Sequence, residues 1–160
     1  ALKDIAAYIN LDMISHDSSL EGIREEGGLY QWTKEEIDRI QGDPRRLLQA
    51  YVSLPSPGFT AMIMNTNASF IGLDVVPFPS FPMLGNSDHY FFAFKKIPSV
   101  FFFTGSNETT HTPLDTVERI NSEKMAQVVK LAYLLAFVTA DEAARPRWEQ
   151  TGTFPGIPPF

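Results

Sequence analysis

IAAYINLDMI, residues 5–14, is a short and mostly apolar run that stops at the polar cluster SHDSS. That pattern predicts a strand buried on both faces rather than an amphipathic helix. Its polar interruptions, Asn10 and Asp12, fall near the C-terminal end of the run, where open α/β sheets present their chemistry. A carboxylate in an apolar strand is costly to keep ionised. Asp12 must therefore be paired, hydrogen-bonded, protonated or bound to a metal.

Downstream, residues 15–32 mix Ser, Gly and charge without a steady period and read as a loop. Thr33 and Glu36 form a capping box ahead of Ile37 and Ile40, which predicts a helix. Asp43 followed by Pro44 reads as an N-cap and first helical residue, predicting a second helix through RRLLQAYV. LPSPG, residues 54–58, breaks the chain, and residues 59–70 have the apolar spacing of a further helix. Gly72 introduces a second strand, LDVVPF, and PFPSFPMLG behind it is a proline-rich loop that cannot be a central strand.

This loop leads to Asn86, Ser87, Asp88 and His89. A short helix, DHYFFAFKK, is expected from Asp88, capped by Ser87 or Asp88 and ended by Ile97 and Pro98. SVFFFTG, residues 99–105, is the most strand-like segment of the chain. The loop SNETTHTPLDTVERI carries His111 and precedes a final helix. Asn121 or Ser122 caps that helix, Glu123 sits in its first turn, and Met125, Val128, Val129, Ala132, Leu135 and Val138 form its apolar stripe.

Strands alternating with helices predict an α/β domain, layered helix/sheet/helix, with a largely parallel central sheet. It occupies residues 1–144, and the Pro/Gly-rich tail 145–160 is expected to be extended. Three strand candidates are few for such a sheet. The chain also begins without Met and enters an apolar run at once, so an incomplete fold with partners upstream of Ala1 is expected.

Composition narrows the function classes. At 160 residues and 44% hydrophobic, the chain supports one domain or part of one. A net charge of −6, from 13 basic and 19 acidic residues spread along the chain, argues against nucleic-acid binding. With no cysteine, His, Asp and Glu are the strong metal-ligand candidates left. No apolar run is long enough to span a bilayer.

The three histidines, His16, His89 and His111, each have a carboxylate close in sequence: Asp17, Asp88 and Asp115. Such residues are commonly caps or solvated loop side chains, and His16, in a Ser-rich loop with nothing to converge on it, is read that way. His111 lies in HTPLDT, where Pro113 stiffens the loop and Asp115 or Thr116 is placed to cap the next element. A fixed imidazole is what a metal ligand needs, and equally what a structural histidine shows.

INLDMI, then NSDHYFFAFKKIPSVFFFTG, then HTPLDT ahead of a long amphipathic helix, resembles the C-terminal half of the co-catalytic zinc aminopeptidases. That group includes bacterial leucyl aminopeptidases and aminopeptidase Y. Glutamate carboxypeptidase, glutaminyl cyclase and the transferrin-receptor ectodomain belong to the wider group. The likeness runs from Lys3 to about Trp148 and is carried least by residues 15–70.

The resemblance implies Asp12 as the terminal carboxylate ligand of one zinc and His111 as the imidazole ligand of the other. Ser87 and Asp88 resemble positions that line the site and support its ligands, His89 packs beside it, and Asp115 fixes the loop near His111. Many members have Tyr where this chain has Thr110, which removes one stabiliser of the tetrahedral intermediate, with Tyr90 as a candidate substitute. The family's bridging His-x-Asp motif is absent from the sequence. Glu25-Glu26 and Glu35-Glu36 follow the NLDMI strand, whereas the family's Glu-Glu pair precedes it. No catalytic residue is thus identifiable, and the general-base glutamate is expected upstream of Ala1.

The implied activity is removal of N-terminal residues from peptides by two zinc ions, with this chain incomplete and inactive without its N-terminal half or a companion chain. Secretion or periplasmic location is implied as well. Two other readings stay open: a non-catalytic structural or self-assembling module, with 13 Phe available for homo-oligomer contacts, and a glutaminyl cyclase-like acyltransferase.

Overall fold

The computed structural model describes residues 2–18, 34, 38, 43–53, 56–80, 87–143 and 145–149. Its strands are β1 (Tyr8–Leu11), β2 (Leu47–Ser53), β3 (Asp74–Ser80) and β4 (Ser99–Phe103); its α-helices are α1 (Pro57–Phe70), α2 (His89–Phe94) and α3 (Ser122–Asp141). The strands form one sheet in the order β1-β4-β2-β3. β1 pairs parallel with β4 and β2 parallel with β3, while β2 runs antiparallel to β4. The expected α/β architecture with a largely parallel sheet is the one observed.

Side chains alternate across a strand, so the sheet has two distinct faces. Leu48, Ala50, Val52, Val100 and Phe102 point to one face and pack with Phe59 and Ile63 of α1 and Val128, Leu131 and Leu135 of α3. Phe59, Phe102 and Leu131 are fully buried, and each burial contributes roughly 1.5–3 kcal/mol before entropy is counted. On the other face Tyr51 stacks on Phe78 and Phe101, and His89 of α2 stacks on Phe101 at 4.9 Å between ring centres. Helices thus cover both faces.

β2 overturns one expectation. The Asp43-Pro44 signal predicts a helix across residues 47–53. Instead Asp43 accepts a backbone hydrogen bond from Arg46 at 2.9 Å, which closes a turn, and the chain leaves it as a strand. Between β4 and β3, Leu48, Ala50 and Val52 alternate toward the core, and Leu47, Gln49 and Ser53 on the other face are buried as well. The sheet consequently has four strands rather than three.

β3 reaches Ser80 and takes in Pro77 and Pro79, where the sequence pattern predicts a loop. It is an edge strand, where a missing N–H leaves no ladder bond unmade. α1 starts at Pro57, inside the stretch expected to break the chain. The buried stripe of α3 is Lys124, Val128, Leu131, Ala132, Leu135 and Thr139, so Val129 is on the outer face rather than in the core. The Asn121 side chain caps α3 by accepting from Lys124 N at 3.0 Å. Of the helix expected after Thr33 only Lys34 and Asp38 are described, both helical, with Lys34 Nζ donating to Asp38 Oδ2 at 3.0 Å, and the tail beyond residue 149 lies outside the described residues. No helix among the described residues is long and apolar enough to cross a membrane.

Lys124 is almost wholly buried at the start of α3. Its ammonium donates to Ser18 Oγ and to the Pro44 carbonyl, both at 3.0 Å. Ser18 N also donates to Pro44 O at 3.2 Å, and Ser18 Oγ to Leu47 O at 3.0 Å. Burial lowers the Lys124 pKa to about 8, against the opposing pull of Asp17 and Asp43.

Candidate active site

Because β1 and β4 are parallel neighbours, their C-terminal ends open on one rim of the sheet, and antiparallel β2 starts at that same rim. Asp12 comes directly after β1. Its backbone N donates to Phe102 O at 3.4 Å, holding it against the end of β4. Asn10 pairs with Phe101 and therefore faces the α2 side of the sheet. From there a short relay runs outward: Asn10 Nδ2 donates to Ser87 Oγ at 2.6 Å, and Ser87 Oγ donates to Asp12 Oδ2 at 2.8 Å.

This relay changes the expected role of Ser87 at α2. Neither Ser87 nor Asp88 makes a side-chain cap; Asp88 is the N-cap residue by position, and the first turn is closed by Tyr90 N donating to Ser87 O at 3.2 Å. The serine hydroxyl is spent on Asp12. His89 is buried and packed on Phe101, and burial pushes its pKa below the usual imidazole range while Asp12 and Asp88 oppose the shift. Asp88 itself is exposed. Tyr90 packs edge-on against Phe91 and stacks with Phe94.

His111 lies in the loop that leaves the end of β4. Thr104 opens this loop, donating to Met13 O through both its N at 3.1 Å and its Oγ1 at 2.6 Å. Asn107 then organises the turn: its Oδ1 accepts from Thr109 N and Oγ1 at 2.8 and 2.6 Å, and its N donates to Thr110 Oγ1 at 2.9 Å. The Thr110 hydroxyl is therefore held by loop backbone. His111 is exposed and adopts φ 61°, and Met13, directly after Asp12, adopts φ 52°. Left-handed backbone at non-glycine residues stores strain that tends to gather at functional sites, and here it flanks the rim on both sides.

Sequence reasoning missed one partnership. His16 Nε2 lies 3.3 Å from Asp115 Oδ1, an ion-pair separation whose angle falls short of a hydrogen bond. The two residues are distant in sequence, so no local signal announces the contact.

The match to a family model decides the affiliation: the model of peptidase family M28 matches residues 1–136. The chain belongs to peptidase family M28. Comparison with curated proteins gave no match, and neither did comparison with solved structures. M28 membership makes this a peptidase-like domain of a hydrolase family that is generally zinc-dependent.

Zinc fits the M28 residues here in kind. Asp12 is a carboxylate whose orientation is set by a second hydrogen-bonding group, the arrangement typical around metal ligands, and His111 offers an imidazole on a bonded loop. It does not fit them in number. Among the described residues no three His, Asp or Glu gather to hold a metal ion, whereas a catalytic zinc takes three protein ligands.

Proposed function

We propose that this chain is the C-terminal part of a zinc-dependent exopeptidase domain that removes N-terminal residues from peptides. Asp12 supplies a ligand to one zinc and His111 to a second. The reading rests above all on the Asp12 carboxylate, held by Ser87 at the rim from which the His111 loop departs, in a chain of family M28.

When bound, zinc supplies Lewis-acid polarisation of the scissile carbonyl and makes a water more acidic. The residues of this chain orient and enclose. Ser87 fixes the rotamer of Asp12, and Asn10 fixes the hydroxyl of Ser87 in turn. His89, buried and packed on Phe101, covers the α2 side of the sheet next to Asn10's strand, and burial disfavours its charged form. Asp88, exposed beside it, adds a second negative charge near Asp12's side of His89, which would favour a positively charged substrate end.

With one ligand offered to each metal, the chain alone binds zinc weakly and hydrolyses no peptide. The test is competition with a chromophoric chelator, run on homogeneous 160-residue protein beside Asp12→Asn and His111→Gln, together with hydrolysis of amino-acid p-nitroanilides. Weak zinc binding that each substitution weakens further supports the assignment. Unchanged binding in both variants removes it, and turnover by the metal-replete wild-type chain disproves the incomplete site.

A second reading, a non-catalytic assembly module, draws on the outer face of α3. Val129, Tyr133 and Phe137 recur every fourth residue there and are 46%, 67% and 59% exposed. Sedimentation of wild type beside Tyr133→Glu separates the two: a concentration-dependent dimer lost in the variant favours the module.

A further inference from the structure

His16 has no place in the site outlined above, yet it stands where two segments of the rim meet. The segment after β1, residues 13–17, touches the long connection 104–121 at three points. At the loop's start, Thr104 donates to Met13 O and accepts from His16 N at 3.4 Å. At its end, Asn121 N donates to Ser15 O at 2.7 Å and Asn121 Nδ2 to Asp17 Oδ1 at 2.7 Å. Between these anchors the His16 ring meets Asp115.

Both ring nitrogens of His16 are shielded from solvent and make no hydrogen bond, and only 14% of the side chain is exposed. Burying an imidazole in that condition is unfavourable unless a charge faces it. Asp115, 37% exposed by side chain, supplies that charge. On the loop side, Asp115 is coupled to His111 by a short chain of bonds: Asp115 N donates to Thr112 O at 3.1 Å, and Thr112 N donates to Thr109 O at 3.0 Å, spanning the histidine. A pull on Asp115 is thereby a pull on the turn that carries the His111 ring.

We propose that His16 is a positioning residue: through Asp115 it clamps the middle of the 105–120 loop to the segment following Asp12 and so fixes where the His111 imidazole stands. The proposal deepens the zinc reading and rests on His111 being a ligand. Thr104 and Asn121 hold the loop's ends, but neither end bond constrains the turn at residues 109–112 directly. The His16 contact reaches that turn through one further bond, from Asp115 N to Thr112 O.

The test is a double-substitution cycle on the full chain with His16→Gln, Asp115→Asn and both together, read by amide hydrogen exchange and by zinc competition. Asp115→Asn is near-isosteric at a partly exposed site and keeps the fold, and unchanged protection of the Leu131 amide in α3 verifies this. Expected are exchange at the Thr112 and Asp115 amides about tenfold faster in each single variant, and a double variant no worse than either single one. Zinc binding weakens by about 10- to 100-fold in parallel.

Unchanged exchange in both single variants overturns the clamp, as do single effects that multiply in the double. Faster exchange with unaltered zinc affinity, in protein whose zinc binding does respond to His111→Gln, overturns the positioning role. If wild-type zinc binding ignores His111→Gln, the ligand assignment fails, and the positioning role falls with it, while the exchange data still report the clamp on its own.

Discussion

Ser87 donates its hydroxyl proton to Asp12 across 2.8 Å, joining two residues 75 positions apart in the chain. The same oxygen accepts from Asn10, whose amide is 8% exposed, so one atom serves a buried donor and a surface-facing carboxylate together. Ser87→Ala strands the Asn10 amide. Loss of about 1–3 kcal/mol is expected in urea unfolding, because a buried donor without an acceptor forfeits its solvation. Ser87→Thr keeps the hydroxyl and should recover most of it. An alanine variant as stable as wild type would show that the relay is not formed.

His111 at φ 61° invites a backbone experiment independent of any metal. Glycine adopts that conformation freely and alanine does not. His111→Gly should therefore be more stable than His111→Ala by about 1 kcal/mol, the reverse of the usual order of the two residues. Thermal unfolding of the pair measures the difference directly, and the ordinary order would mean that the loop does not hold a left-handed residue there.

Lys124 predicts a pH dependence of stability with a definite sign. Its folded pKa is lowered from 10.5 to about 8, so between those values the unfolded chain binds the extra proton. Stability then rises with pH across that window, by on the order of 3 kcal/mol at about 1.4 kcal/mol per pKa unit; below pH 8 the burial penalty is fully present. Other groups titrate nearby, Tyr8 among them, whose pKa burial raises. The decisive quantity is therefore the difference between wild type and Lys124→Met, measured by denaturant unfolding from pH 7 to 10.5. A constant difference would refute the prediction.

Asn67 closes the end of α1. Its Nδ2 donates to Leu73 O at 2.7 Å and its Oδ1 accepts from Leu73 N at 3.0 Å, satisfying both backbone groups of a buried residue. Asn67→Ala removes both bonds and should cost roughly 2–4 kcal/mol. Asn67→Asp keeps the acceptor but sets a carboxylate oxygen against the Leu73 carbonyl in a buried site, so at neutral pH it should cost at least as much as alanine in the same unfolding assay.

The elements legible in the sequence are those with a one-dimensional signature. β4 shows as SVFFF, α3 shows its cap and period, and the three motifs stand in order along the chain. β2 is masked by the Asp43-Pro44 cap signal and by the helix formers Leu47, Leu48, Gln49 and Ala50, although Leu48, Ala50 and Val52 alternate toward the core. The prolines of β3 mislead for a different reason: whether a strand is central or edge is decided by the other strands. At the site, Asp12 is visible as a carboxylate in an apolar run. His16 is not, since its meaning comes from Asp115, and the Asn121–Asp17 bond beside it joins residues 104 positions apart.

Ser18 and Pro44 touch, and Lys124 grips both. Two residues 26 positions apart in the chain are thus joined at a single knot. Lengthening a segment whose two ends are already tied costs only a slowly growing closure entropy, about 0.6 kcal/mol for each doubling. The knot joins the end of the β1 segment to the turn before β2, so a change in the number of residues between Ser18 and Pro44 leaves that junction itself in place. Because β2 begins at the same rim, the knot also ties the start of that strand to the segment that follows Asp12.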